Sequence, residues 1–167
     1  MESRQMVLVS DIDGTIIYFS LPFKVHQWMS SRRAYLIPFL LILPLAYLLY
    51  LLRPRKKSAK SRICKHKQDG GRVVIFSATE DMVLTRIIIK AWLKLWRVPY
   101  DLLALRPHGL GIKEFKLRIL EEEVCDILLE NNIHLVDYLI RERERRGVEF
   151  VSKVRETRYS VVRFRNI

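Results

Sequence analysis

Two aspartates stand two positions apart at the end of a short apolar run near the start of this 167-residue chain. The run is MVLVS at 6–10, and DIDGT follows it at 11–15. An apolar run of this length, bounded by polar residues, predicts a strand that is buried on both faces. If the backbone stays extended, Asp11 and Asp13 face one site, where one carboxylate can attack an electrophile and the other can transfer protons. Together they also attract a hard divalent cation.

Polar side chains also follow three later strand-like runs, at 73–77, 100–105 and 124–130. Because ligands gather at the carboxyl ends of parallel strands, these side chains are expected to share one site with the two aspartates. They are Ser77 and Thr79 at the end of the first run, with the backbone of Ala78 between them, Lys113 and Lys116 after the second, and Glu130, Asn131 and Asn132 at the end of the third. Hydroxyl and backbone N–H groups suit phosphate, an ammonium offsets its charge, and carboxylate and amide oxygens suit Mg²⁺.

Helices are predicted between these strands from apolar residues at three- and four-residue spacing, over 80–96, 113–123 and 132–146. A further strand begins at VEFVS, 148–152, and the tail RYSVVRFRNI alternates loosely, which indicates an edge strand. Strands that alternate with helices predict an α/β fold of the Rossmann-like type, with a parallel sheet between two helical layers.

Four motifs stand in a fixed order along the chain. They are DIDGT at 11–15, VVIFSAT at 73–79, IKEFK at 112–116 and ILLENN at 127–132. This set resembles the motifs of the haloacid dehalogenase-like superfamily of phosphatases over about residues 6–152, apart from the segment between the first two strands. The resemblance implies a Mg²⁺-dependent phosphomonoester hydrolase that works through an aspartyl-phosphate. One departure is clear: the family usually has a pair of acids where this chain has Glu130 and Asn131.

The resemblance also implies roles for single residues. Asp11 would be the nucleophile, Asp13 would be the general acid and then the general base, and Lys116 would stabilise the charged intermediate, with Lys113 as the second choice. The residues that bind the phosphoryl group would be Thr15, Ser77 and Ala78. The Mg²⁺ ligands would be Asp11, the carbonyl of Asp13, Glu130 and Asn131.

A long segment separates the first two strands. The predicted organisation is a core of residues 1–15 and 73–167, a hydrophobic cap insertion at 16–52, and a basic, flexible linker at 53–72. Within the insertion, the stretch from Ala34 to Leu52 has nineteen residues and no charge. At about 1.5 Å of rise per residue, a helix of that length reaches roughly 28 Å, close to the thickness of a hydrocarbon core.

A single membrane crossing by this insertion would place the first two strands on opposite sides of the bilayer, although they must pair in one sheet. Two crossings would need about 40 apolar residues. We therefore predict a membrane-associated cap that is monotopic, or that bends at Pro44 into a re-entrant hairpin, on the cytoplasmic side of the membrane. A soluble cap that packs against the core or another subunit is the remaining alternative.

Positive charge is concentrated in the same part of the chain. Residues 24–72 hold twelve Lys and Arg against one acid, whereas the rest of the chain is nearly balanced. Such a segment attracts phosphates of anionic lipid or of nucleic acid. We predict an anionic membrane surface as the partner, through 20–62, and a phosphate-bearing substrate. The competing functions are a phosphatase that acts on nucleic-acid ends and a membrane-bound scaffold without strong catalysis.

Overall fold

A computed structural model describes residues 4–13, 15–16, 56–156 and 159–165 of this chain. Its strands are β1 Val7–Asp11, β2 Arg72–Glu80, β3 Leu102–Arg106, β4 Ile127–Glu130, β5 Glu149–Arg155 and β6 Ser160–Arg165. Its helices are α1 Lys57–Gln68, α2 Val83–Leu95, α3 Ile112–Glu122 and α4 Ile133–Arg145. The strands form a single six-stranded sheet in the order β3-β2-β1-β4-β6-β5.

The central strands are parallel, and this places their carboxyl ends at one edge of the sheet. β1 pairs with β2 on one side and with β4 on the other, and β3 adds to β2, all in parallel. Each of β1, β2 and β4 is largely buried because helices cover both faces of the sheet. Asp11 and Glu130 therefore end neighbouring strands at the same edge.

Two apolar clusters lie on the two faces of the sheet. Alternate residues of β1 show the division, because Leu8 belongs to one cluster and Val9 to the other. Ala59 and Ile63 of α1 and Trp92 of α2 complete the first cluster. The second cluster includes residues of α3 and α4. The prediction of an α/β fold with a sheet between two helical layers is thus confirmed.

The sheet differs from the prediction at its far side. β6 is antiparallel to β4 and lies between β4 and β5, so the predicted edge strand is an interior strand and the sheet is mixed. β5 occupies the edge instead. The burial pattern explains the error, since the first three residues of β6 are buried and β5 is mostly exposed or half-buried.

The prediction of a flexible linker over 53–72 is wrong for most of its length. Residues 57–68 form α1, and Arg72 begins β2. Ala59 and Ile63 are fully buried, and their four-residue spacing places them on one side of the helix. The density of lysine and arginine hid this short apolar pattern, because charged side chains can line the exposed side of a helix.

Residues 17–55 lie outside the described residues, and they include all of the predicted insertion after Ile16 with its apolar run at 34–52. Its two ends are described. The backbone N–H of Lys56 donates to the carbonyl of Ile16 at 2.7 Å, so the segment that starts after Ile16 returns to the same point. No helix within the described ranges has the length and apolarity needed to cross a bilayer.

Candidate active site

A buried ion-pair cluster lies where β1 and β4 end. The Nζ atom of Lys116, from the first half of α3, is 2.9 Å from Oδ1 of Asp11 and 2.6 Å from Oε2 of Glu130. Asp11 and Lys116 are each 3% exposed, and Glu130 is 1% exposed. The ammonium also lies 4.6 Å from the centroid of the Phe76 ring, where a cation is favoured electrostatically.

Two carboxylates and one ammonium leave this cluster with excess negative charge. Burial raises the pKa of Asp11 well above its usual range, and the carboxylate of Glu130 raises it further, while Lys116 opposes both. Burial also acts to lower the pKa of Lys116, but Asp11 and Glu130 outweigh it and hold that pKa above its usual value. Lys116 therefore stays charged, and additional positive charge beside Asp11 would favour the ionised form of its carboxyl group.

Backbone and amide groups fix the carboxylate of Glu130. Its Oε1 atom accepts from the backbone N–H groups of Asn131 and Asn132, each at 3.0 Å. The amide group of Asn131 lies 3.0 Å from both the carbonyl oxygen of Asp13 and Oε1 of Glu130. Both neighbours are acceptors, so the amide nitrogen must face them. Asn131 thereby ties the carbonyl of Asp13 to the end of β4.

Ser77 links the second strand to the same place. Its hydroxyl lies 3.4 Å from Oδ2 of Asp13 and 3.0 Å from the hydroxyl of Thr79, whose backbone N–H donates to Ser77 Oγ at 3.1 Å. The strand continues through Ser77 to Glu80. The helix that the sequence predicts from residue 80 therefore starts later, because Ser77–Glu80 belong to β2 and α2 begins only at Val83.

An irregularity in β2 shapes this segment. Arg106, which was not among the residues singled out from the sequence, holds it in place. The register against β3 shifts between Ser77 and Glu80, as in a β-bulge, which changes where side chains point. Arg106 donates to the carbonyl of Ala78 at 2.8 Å, to the carbonyl of Leu110 at 2.7 Å and to the carboxylate of Glu80 at 3.0 Å. An arginine directly after the strand-like run at 100–105 was the available signal.

Each of the remaining candidates contacts a different group of the protein. Thr15 is fully buried, and its hydroxyl lies 3.5 Å from the side chain of Asn131. Ala78 contributes its carbonyl to Arg106. Lys113, the second choice for the functional lysine, lies over the Tyr138 ring at 5.1 Å. Of the two lysines, Lys116 is the one that contacts Asp11.

The oxygens that converge here fit a hard cation such as Mg²⁺ in type. They are the carboxylates of Asp11 and Glu130 and the carbonyl of Asp13, and Asn131 can add its amide oxygen by rotating. The part of the chain that the structure describes contains no group of three or more His, Cys, Asp or Glu side chains arranged to hold a metal. Carboxylate ligands at this site are therefore few. The resident amide nitrogen of Asn131 would have to turn away from the Asp13 carbonyl.

Comparison with known proteins adds information on the fold. No protein-family model and no curated protein matches this chain. A chain in the structure of the Pnkp1/Rnl/Hen1 complex matches with a TM-score of 0.59 and 20% identity, over 86% of this chain and 45% of that one. A chain of the Pnkp1/Rnl/Hen1 RNA repair complex gives 0.59 and 19%, over 83% and 40%. This chain thus spans less than half of either, and at such identity the similarity shows the fold alone.

Proposed function

We propose that this chain is a Mg²⁺-dependent phosphomonoester hydrolase of the haloacid dehalogenase-like superfamily, with Asp11 as the nucleophile. The observation that supports this most is the buried contact of Lys116 with both Asp11 and Glu130. These three residues come from β1, α3 and β4, and Ser77 approaches Asp13 from β2. All four sequence motifs therefore contribute side chains to one edge of the sheet.

The chemistry follows from this arrangement. A carboxylate oxygen of Asp11 attacks phosphorus, and the ester oxygen departs with a proton from Asp13. Asp13 then takes a proton from water, the water oxygen attacks phosphorus, and the bond to Asp11 breaks to release inorganic phosphate. Lys116 and Ser77 offset and orient charge on the phosphoryl group.

Mg²⁺ would be held by Asp11, the carbonyl of Asp13, Glu130 and Asn131. When bound, it supplies positive charge next to the phosphoryl group and favours the ionised form of Asp11. The low number of carboxylates predicts weak binding of the metal. We expect phosphate release from p-nitrophenyl phosphate to stop with chelator and to return only at high Mg²⁺ concentration. Activity that is the same with and without chelator would contradict the role of the metal.

Membrane association is the second part of the proposal. The apolar run at 34–52 and the basic charge around it support it, and the contact between Ile16 and Lys56 supports an insertion that starts and ends on one side of a bilayer. The core would lie on the cytoplasmic side, and a phosphate-bearing lipid is then the substrate class that the site meets most often. Full-length protein that stays in the soluble fraction without detergent would contradict this part.

A second candidate function is removal of phosphate from nucleic-acid ends. It is favoured by the similarity in fold to chains of an RNA repair complex and by the basic character of α1. Release of phosphate from 3′- or 5′-phosphorylated oligonucleotides, measured beside release from a phosphorylated lipid in mixed micelles, separates the two. If neither of these substrates nor the aryl phosphate is hydrolysed, the results would favour a scaffold without catalysis.

A further inference from the structure

The two helices on one side of the sheet carry no acidic residue. α1 and α2 together contain eight Lys and Arg and no Asp or Glu. α3 and α4, on the other side, contain six basic and six acidic residues. Among the four described helices, excess positive charge is therefore found only in the layer formed by α1 and α2, which we call the basic layer. A field of one sign over one side of a protein orients it toward a polyanionic surface.

Most of this charge is available to an external partner. Three of the basic side chains form ion pairs, Arg62 with Glu156, Lys67 with Asp101 and Arg86 with Asp81. The other five do not form an ion pair with any carboxylate in the described ranges. They are Lys57, Lys60, Lys65, Lys90 and Lys94. Lysines without a local partner retain their full attraction for phosphate groups.

The basic layer also exposes large apolar side chains where α2 begins. Met82 is 57% exposed, Val83 80%, Leu84 46% and Ile87 58%. We call these four residues the α2 apolar patch. α2 follows the carboxyl end of β2, so the patch lies at the edge of the sheet that carries the candidate active site. A contiguous group of exposed apolar residues is a candidate surface for binding a partner.

The insertion joins the protein on the same side. Ile16 is fully buried in the cluster that contains residues of α1 and α2, and it accepts the hydrogen bond from Lys56 just before α1. Thirty-nine residues lie between these two anchors, and they include the uncharged run at 34–52. Both ends of the segment that contains the most apolar part of the sequence therefore attach on the side of the basic layer.

We propose that the outer side of the basic layer docks on an anionic lipid bilayer, with the α2 apolar patch entering the headgroup region. Aliphatic side chains gain free energy at the boundary of headgroups and acyl chains, and the lysines face lipid phosphates. Nucleic acid would meet the same charge, but the patch offers no aromatic side chain for a base to stack on. The inference extends the proposed membrane association and does not depend on the proposed chemistry.

Site-specific fluorescence tests this orientation in the full-length protein. Ile87→Cys, in a Cys64→Ser background, is labelled with nitrobenzoxadiazole and mixed with phosphatidylcholine vesicles that contain phosphatidylserine and brominated lipid. Val154→Cys on β5 and Glu144→Cys on α4 serve as matched exposed controls. We expect a blue shift and quenching by brominated lipid at position 87 and neither change at the two control positions.

Neutralising Lys90 and Lys94 to glutamine gives a second readout. We expect vesicle affinity to fall about fivefold for each lysine at low salt, and Arg141→Gln on α4 to have no effect. Vesicle binding without quenching at position 87 would overturn this inference but leave membrane association intact. A spectral change at 87 with RNA instead of vesicles, or with rising protein concentration alone, would also overturn it, in favour of nucleic acid or a second copy.

Discussion

Asp11→Asn is expected to reduce phosphate release from an aryl phosphate by at least about a thousandfold, because an amide cannot act as the nucleophile. The substitution keeps the shape of the side chain and leaves Lys116 paired with Glu130. Folding should therefore survive, and the loss should appear in kcat rather than in KM. Initial rates over a range of substrate concentrations at saturating Mg²⁺ measure it.

Two variants make the result specific for the nucleophile. Asp13→Asn should cost roughly a hundredfold or more, because the general acid and base is lost while the nucleophile remains. Asp69→Asn, at the end of α1, should leave the rate unchanged, since Asp69 lies at the opposite edge of the sheet from the cluster. Equal rates for the wild type and Asp11→Asn would mean that Asp11 does not carry the reaction.

Lys116→Met is expected to lower the free energy of unfolding by about 3–5 kcal/mol at pH 8, because it leaves buried carboxylates without their cation. Asp11 and Glu130 are both nearly inaccessible to water, so solvent cannot replace the ammonium. Methionine keeps much of the volume of the lysine stem, so the change reports charge more than a cavity. Urea unfolding followed by circular dichroism measures it.

The dependence of this loss on pH identifies its electrostatic origin. The folded-state pKa of Asp11 is raised, so the folded state keeps a proton that the unfolded state has released, and stability falls as pH rises between the two pKa values. Without Lys116 that fall becomes larger, and it should become small below about pH 3, where the Asp11 carboxyl is largely protonated in the unfolded state as well. Lys113→Met, the exposed counterpart one turn earlier, should change stability little at any pH. A loss from Lys116→Met that is the same at pH 3 and pH 8 would argue for packing instead.

The sequence allowed the meeting of Asp11, Lys116 and Glu130 at the carboxyl ends of the strands to be predicted, because topology fixes it. Parallel strands separated by helices bring their carboxyl ends together, and Asp11, Ser77 and Glu130 each stand at or near such an end. The register of the pairing then decides contacts that no local pattern contains. The choice between Lys113 and Lys116, four residues or fewer from the start of α3, depends on which side of that helix faces β1.

Other features were decided by tertiary packing. α1 has two buried residues, Ala59 and Ile63, among many charged ones. Their burial in the first apolar cluster stabilises the helix, and this contact depends on the tertiary structure. The tail strand β6 was placed at an edge because its alternation is weak, yet its partners on both sides bury it. Arg106 was missed because its three acceptors come from β2 and from the loop before α3.

Trapping of a covalent intermediate tests the central claim most directly. Wild-type protein is mixed with excess aryl phosphate and Mg²⁺, quenched with acid within a turnover, digested and analysed by mass spectrometry. The account predicts one added phosphoryl group on the peptide that contains Asp11, labile at alkaline pH and absent from Asp11→Asn. Rapid phosphate release with no modified peptide, or with the phosphoryl group on another residue, would contradict it.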